Sequence, residues 1–272
     1  MSVVAAVLMC HAPIVVPAIS AERAGECATT TRAMREVAAE VVRHVPEVLV
    51  LISPHAPRRP RAWGVCAEAR VQGDFARFGH AAVGVALPGA PDAAQSLATA
   101  GARLGVAVEG IAGHALDHGA VVPLWFLAEA GYTGPTLVVA LPYPGAGSEA
   151  RFGQLLRDVA EARAERWAVV ASGDMSHRLR PDAPAGFHPR AREFDEGFVA
   201  ALRSSDYARA VAPDPALREL AGEDVVQSTC VAAAAVAFAV RGARVLAYEG
   251  PFGVGYCEAV LYSSVAESEA DA

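Results

Sequence analysis

A chain of 272 residues, 53% hydrophobic and 19% charged, is long enough to bury a sizeable core and too apolar to be disordered over most of its length. Its formal net charge of −7, with arginine in place of lysine throughout and only the short Arg58-Arg59-Pro60-Arg61 run as a basic block, argues against a nucleic-acid partner. The most apolar stretch (230–240) is too short to cross a bilayer, the N-terminus lacks the basic region of a signal peptide, and the scattered cysteines Cys10, Cys27, Cys66, Cys230 and Cys257, without CxxC spacing, fit a reducing cytoplasm better than a disulfide framework or a zinc-cysteine cluster.

In chain order, the apolar run 2–9 predicts a buried strand and 21–44 a helix. Residues 48–52 form a continuous apolar run, the pattern of a strand covered on both faces. Residues 67–75 and 83–87 predict further strands in a hairpin-like excursion, followed by a helix over 91–104 and a short strand at 106–110. A helix over 121–129, with Pro123 in its first turn, precedes a strand at 136–141. The alternation continues with a helix at 148–163, a strand at 167–172 and a helix at 190–203. That last helix carries Phe194, Phe198 and Leu202 on one face. A helical turn at 217–221, a long apolar helix at 225–241 closed by Gly242, and strands at 243–248 and 255–263 complete the chain. The order predicts one α/β domain over residues 1–265, with a central mixed, mostly parallel sheet flanked by helices. Residues 266–272 read as an acidic, disordered tail.

Three histidines follow strands directly. His11 stands in Cys10-His11-Ala12-Pro13, His55 in Ser53-Pro54-His55-Ala56-Pro57, and His177 in Ser172-Gly173-Asp174-Met175-Ser176-His177. Strands ending in Pro, Ser or Gly turns present the next side chain at the sheet edge, where open α/β folds bind ligands. Imidazoles gathered there point to metal binding or proton transfer. If the strands before His11 and His55 are neighbours, the two rings meet. His118, in Leu116-Asp117-His118-Gly119, is a fourth candidate near a helix N-terminus, which favours anionic groups. Asp174 and Ser176 read as turn formers, and His44, His80, His114 and His188 as structural or surface groups.

Taken together, the strand followed by His-x-Pro, the strand followed by Ser-Pro-His, the Leu-Asp-His-Gly segment leading into Val-Pro-Leu, and Ser-Gly-Asp-Met-Ser-His resemble the class III extradiol dioxygenase superfamily. This is the group of the protocatechuate 4,5-dioxygenase β subunit, which also contains the Memo proteins. The order and spacing fit over residues 3–261. The resemblance implies extradiol ring cleavage of a catechol or aminophenol-type aromatic by O₂, as in aromatic catabolism. It implies a mononuclear non-haem Fe(II), or another divalent metal, held by two histidines and a glutamate. By motif position the histidines are His11 and His55, His177 is the acid/base residue, and His118 is a second histidine at the substrate. Glu223, just before the long apolar helix, is the expected carboxylate. Asp224 is a close rival, as is Cys230, because Memo-type relatives carry a cysteine in the corresponding region; Glu249 fits less well. With cysteine as ligand, the alternative is a Memo-like metal-binding or interaction protein without ring cleavage. Tyr143 and Phe252, in Pro/Gly-rich loops after strands, are the expected substrate-binding aromatics, and Pro251-Phe252-Gly253 is a candidate lid. The family further implies a homodimer and, in some members, a small helical partner subunit.

Overall fold

The computed structural model describes residues 2–143 and 147–265; the acidic tail expected at 266–272 lies outside them. In chain order the elements are β1 (Val3–Met9), α1 (Pro17–Ser20), α2 (Ala28–Arg43), β2 (Val48–Ser53), β3 (Arg59–Pro60), β4 (Trp63–Cys66), β5 (Arg70–Phe75), β6 (His80–Pro88), α3 (Pro91–Leu104), β7 (Val108–Ile111), α4 (His118–Glu129), β8 (Thr136–Ala140), β9 (Pro142–Tyr143), α5 (Glu149–Arg163), β10 (Trp167–Ser172), α6 (Ala191–Arg203), α7 (Tyr207–Ala210), α8 (Pro215–Ala221), α9 (Val225–Ala235), β11 (Arg244–Glu249) and β12 (Tyr256–Ser263).

Among the described residues, eight strands form one mixed sheet in the order β11-β12-β1-β10-β2-β8-β4-β7. Its centre, β1-β10-β2-β8, is parallel. Strand β12 runs antiparallel to β1, and β11 antiparallel to β12. On the other side β4 opposes β8, and β7 pairs with β4 in parallel. Alternate residues of β1 feed two cores. Val3, Ala6 and Leu8 join the layer built with Leu97 of α3, Phe152 of α5, Phe194 of α6 and Val231 of α9. Ala5, Val7 and Met9 join the layer built with Met34 of α2, Phe126 of α4 and Phe75 of the β5–β6 hairpin. Both faces are covered, so the central strands are apolar at nearly every position. Among the described residues no helix is long and apolar enough to cross a membrane, and all five cysteines are free.

Several boundaries differ from expectation for identifiable reasons. Residues 21–27 form a 3₁₀ segment ahead of α2. Helix α9 ends at Ala235, well before Gly242, because Phe238 N–H reaches back to Ala233 O (2.8 Å) with Ala237 in the left-handed region at φ 54°. This is a Schellman-type stop in which Ala237 occupies the position usually held by glycine. Helix α4 begins earlier than expected, at His118. Its N-cap Asp117 accepts from Ala120 N–H, and Pro123 falls inside the helix. Strand β4 has no counterpart in the sequence reading. Its Gly64 lets it pack tightly, since a Cβ there would sit 2.3 Å from Ile111 Cδ1.

At the end of the sheet where β1 begins, Glu40 is buried (6% exposed) among Arg43 (2.6 Å), Arg244 (3.2 Å) and His44 (3.2 Å). Burial alone would raise its carboxyl, but hydrogen bonds from Ser263, Arg43 and Arg244 hold it down at about 2, against an ordinary value of 4.5. A depressed carboxyl stabilises the fold above its unfolded-state value and loses that contribution as the pH falls through its folded-state value. Glu40→Gln is therefore expected to lower the melting temperature at neutral pH, with the gap to the parent closing between about pH 4.5 and 2. Thermal denaturation across that range tests it.

Candidate metal centre

The parallel register brings the C-terminal ends of β1, β10 and β2 to one edge: Met9 is level with Ser172, and Ala171 with Ile52. Strand β10 lies between β1 and β2, so the strands carrying His11 and His55 are not neighbours. Their side chains nonetheless lean over the end of β10, and the two Nε2 atoms stand 3.1 Å apart. His118 joins them from the first residue of α4, stacked on His55 with ring centroids 4.4 Å apart. The donor atoms of His11, His55 and His118 all lie within 4.8 Å of one another, a triad that can hold a metal ion. Gly119 permits this approach, because a Cβ there would meet Ser53 Oγ at 2.6 Å and His55 Cδ2 at 3.2 Å.

One chain of hydrogen bonds fixes which nitrogen of His11 faces the centre. Pro123 has no N–H, so the Gly119 carbonyl four residues earlier lacks its helical donor. That carbonyl instead accepts from Ser172 Oγ (2.6 Å). A hydroxyl has one proton, so Ser172 offers only a lone pair to His11 Nδ1, 3.0 Å away. His11 Nδ1 must then carry the hydrogen, which leaves Nε2 as the donor atom toward His55. His177 is set in the same manner. Its Nδ1 lies 3.1 Å from Met175 O, and a carbonyl only accepts, so in the neutral ring Nε2 keeps its lone pair.

A carboxylate completes the group. Gly173 directly follows β10, and a Cβ there would lie 2.5 Å from Val225 Cα; its absence lets the start of α9 descend onto the strand end. Asp224 Oδ1 accepts from Asp174 N–H (2.7 Å), while its Oδ2 lies 3.2 Å from His55 Nε2 and 3.5 Å from His11 Nε2. Ligand atoms sharing one ion at about 2.1 Å stand about 3.0–3.5 Å apart at angles between about 90° and 113°. The triangle of His11, His55 and Asp224 has edges of 3.1, 3.5 and 3.2 Å, and its two-imidazole, one-carboxylate chemistry suits a divalent transition metal.

The expected glutamate does not enter this triangle. Glu223 is bound by Arg218 (2.6 Å) and by Val226 N–H (2.8 Å) at the first turn of α9. Cys230, further along α9, has Glu149 and Arg218 as its charged neighbours. Glu249 accepts from Thr30 N–H and Oγ1. Tyr143 is 64% exposed and does not line the cleft above the histidines. Phe252 also lies off that lining, beneath the Arg23 guanidinium at 4.5 Å from the ring centroid. The 250–254 turn is tied to the loop after His177, with Leu179 N–H on Gly253 O and Arg180 on Pro251 O.

Electrostatics favour a cation at this point. Burial disfavours the charged form of His11, yet Asp174 and Asp224 outweigh it and raise its pKa to about 9. Burial would also raise Asp224, but His11 and His55 hold it well below the usual carboxylate range. Burial pushes the Asp174 carboxyl up, opposed by the pull of His11 and assisted by the Asp224 charge. His118 is pushed down to about 4 by burial and by its two histidine neighbours, so it is neutral at pH 7. Glu258, wholly buried beside Cys10, has its carboxyl pushed up by burial. Sequence reasoning took Asp174 for a turn former, yet its Oδ1 also accepts from His11 N–H (2.9 Å). Ser172 and His80, now seen to orient His11 and to line the cleft, carried no comparable signal.

Above the histidines opens a cleft of about 550 Å³, lined by His11, His55, His118, Asp174 and His177 below and by mostly apolar side chains above. Residues 5–259 match the family described as "Catalytic LigB subunit of aromatic ring-opening dioxygenase". The chain belongs to the LigB family. This LigB chain is 27% identical over 260 residues to Protein CA_C1420 of Clostridium acetobutylicum, in a match covering 92% of the chain and 55% of that relative. It thus spans about half the length of the curated relative it matches. Its fold is shared with uncharacterized protein JW3007 from Escherichia coli K12, at a TM-score of 0.54 and 18% identity over 85% of this chain and 91% of the other.

Removing the Ser172 hydroxyl frees the His11 ring to turn or change tautomer. Ser172→Ala is expected to weaken divalent metal binding about 10–100-fold, the usual cost of losing a group that orients a ligand, with the circular dichroism spectrum unchanged. Titration calorimetry with Zn²⁺ measures it.

Proposed function

We propose that this LigB-family chain is a metal-dependent extradiol dioxygenase that opens a catechol or aminophenol-type ring with O₂. The observation that carries the reading is the triangle of His11 Nε2, His55 Nε2 and Asp224 Oδ2, with edges matched to a single ion, at the floor of an open cleft. Two imidazoles and one carboxylate on one face leave the opposite positions open for substrate and O₂. Fe(II), or another divalent metal with the same ligand preferences, would supply Lewis acidity toward the substrate's hydroxyls and the redox contact with O₂.

The protein's own part is orientation and proton transfer. His177 shares the cleft with the triangle and presents an unprotonated Nε2 in its neutral form. It takes a proton from one substrate hydroxyl and returns one to the oxygen released on ring opening. Such general acid–base assistance is worth about 10²–10⁴-fold in rate. His118, neutral and stacked on His55, lies where it can accept a hydrogen bond from the substrate. Asp174 holds the backbone of His11 in position through its N–H. The Cys-ligand, Memo-like alternative loses support, because the carboxylate of Asp224 stands at the histidines and Cys230 does not.

Two comparisons test the reading. Asp224→Asn is expected to lose bound metal on gel filtration, whereas Glu223→Gln, its neighbour, retains it; the reverse pattern would overturn the ligand set. His177→Ala is expected to retain metal and to slow O₂ uptake with catechols about 10²–10⁴-fold. Full activity in that variant would remove the acid/base role.

A further inference from the structure

The walls of the cleft differ in character from its floor. Ile14 and Ile19 come from the turn and short helix after β1, Phe78 from the tip of the β5–β6 hairpin, and Pro184 and Val254 from the two loops tied together beyond His177. Phe78 stands edge-on to His118, with ring centroids 5.6 Å apart, and keeps 43% of its surface exposed, so its free face is available to a ligand seated over the histidines. Beyond the histidines and Asp174 of the floor, His80 and Tyr256 are the polar side chains of the lining.

Asp174 and Asp224 stand at the floor. Among the described residues no arginine lines the cleft, and the chain contains no lysine. Near the loop that carries Val254, Arg23 is paired with Glu26 (2.7 Å) and stacked on Phe252, and Arg180 is paired with Asp182 (3.1 Å) and bonded to Pro251 O. A ring carboxylate held against these walls would lose hydration to apolar side chains with no arginine among them to pair with it. An apolar substituent gains from the same walls in proportion to the area it buries.

Resting on the reading of the site as one for aromatic diols, we infer that the substrate carries an uncharged, apolar substituent, and that Phe78 and Ile19 select it. The diol faces the histidines, and the substituent lies between the hairpin tip and the Pro184–Val254 side. A diol bearing a carboxylate is disfavoured by the cleft itself.

The test uses the full chain loaded with redox-inert Zn²⁺ and titrated under argon with 4-ethylcatechol or with 3,4-dihydroxybenzoate. The ethyl compound is expected to bind at least about tenfold more tightly. Phe78→Ala is expected to reduce that preference, and Ile19→Arg, which adds a cation to the wall, to reverse it. Equal or tighter binding of the carboxylated diol by the parent protein overturns the inference while leaving the diol reading intact. Failure of both diols to bind metal-loaded protein overturns the diol reading, and the inference with it.

Discussion

The hydroxyl of Ser172 has a single proton, and the Gly119 carbonyl takes it. The carbonyl is free to do so because a proline sits one helical turn further on, where any other residue would have supplied an N–H. From this follows the tautomer of His11, and with it the direction of the lone pair that meets His55 and Asp224. The interaction joins three elements distant in the chain: the start of α4, the end of β10 and the residue after β1. It is buried throughout, where an incompletely paired polar network would be costly, so its members hold one another in a single arrangement.

The second constraint is electrostatic. Asp174, Asp224, His11 and His118 share a small volume, and the charge on each shifts the others. Without a cation the imidazoles and carboxylates must share protons among themselves. A divalent ion relieves the repulsion between carboxylates and uses the imidazole lone pairs at once. The backbone supports this through two glycines: Gly119 admits the histidine cluster, and Gly173 admits the start of α9. Without the second of these, Asp224 could not reach the end of β10.

Much of this was legible in the chain before any coordinates. The central strands announce themselves because burial on both faces demands continuous apolar runs, and His11, His55 and His177 stand out because each follows such a run. What sequence patterns could not convey was side-chain direction at the start of α9. Glu223 and Asp224 are adjacent and both acidic, and only the fold turns one toward Arg218 and the other toward the histidines. Ser172 reads as an ordinary strand end, and its role appears only when Pro123 is seen inside α4. The early stop of α9 escaped notice because Ala237 adopts a conformation normally signalled by glycine. Strand β4 is only four residues long and contains Gly64, so its pattern carried little weight. Tyr143 and Phe252 were reasonable aromatics in loop settings, but loop position says nothing of which way a ring faces.

The β5–β6 hairpin forms a two-stranded sheet of its own, outside the eight-stranded one, and leans Phe78 over the histidines. The groups that would perform chemistry belong to the parallel strand ends and the helices capping them, whereas this part of the wall belongs to a separately hydrogen-bonded ribbon. Changes in the ribbon's tip can accumulate across descendants without disturbing the buried network beneath. Such an arrangement lets what the cleft admits drift while the buried network stays under a separate, stricter selection.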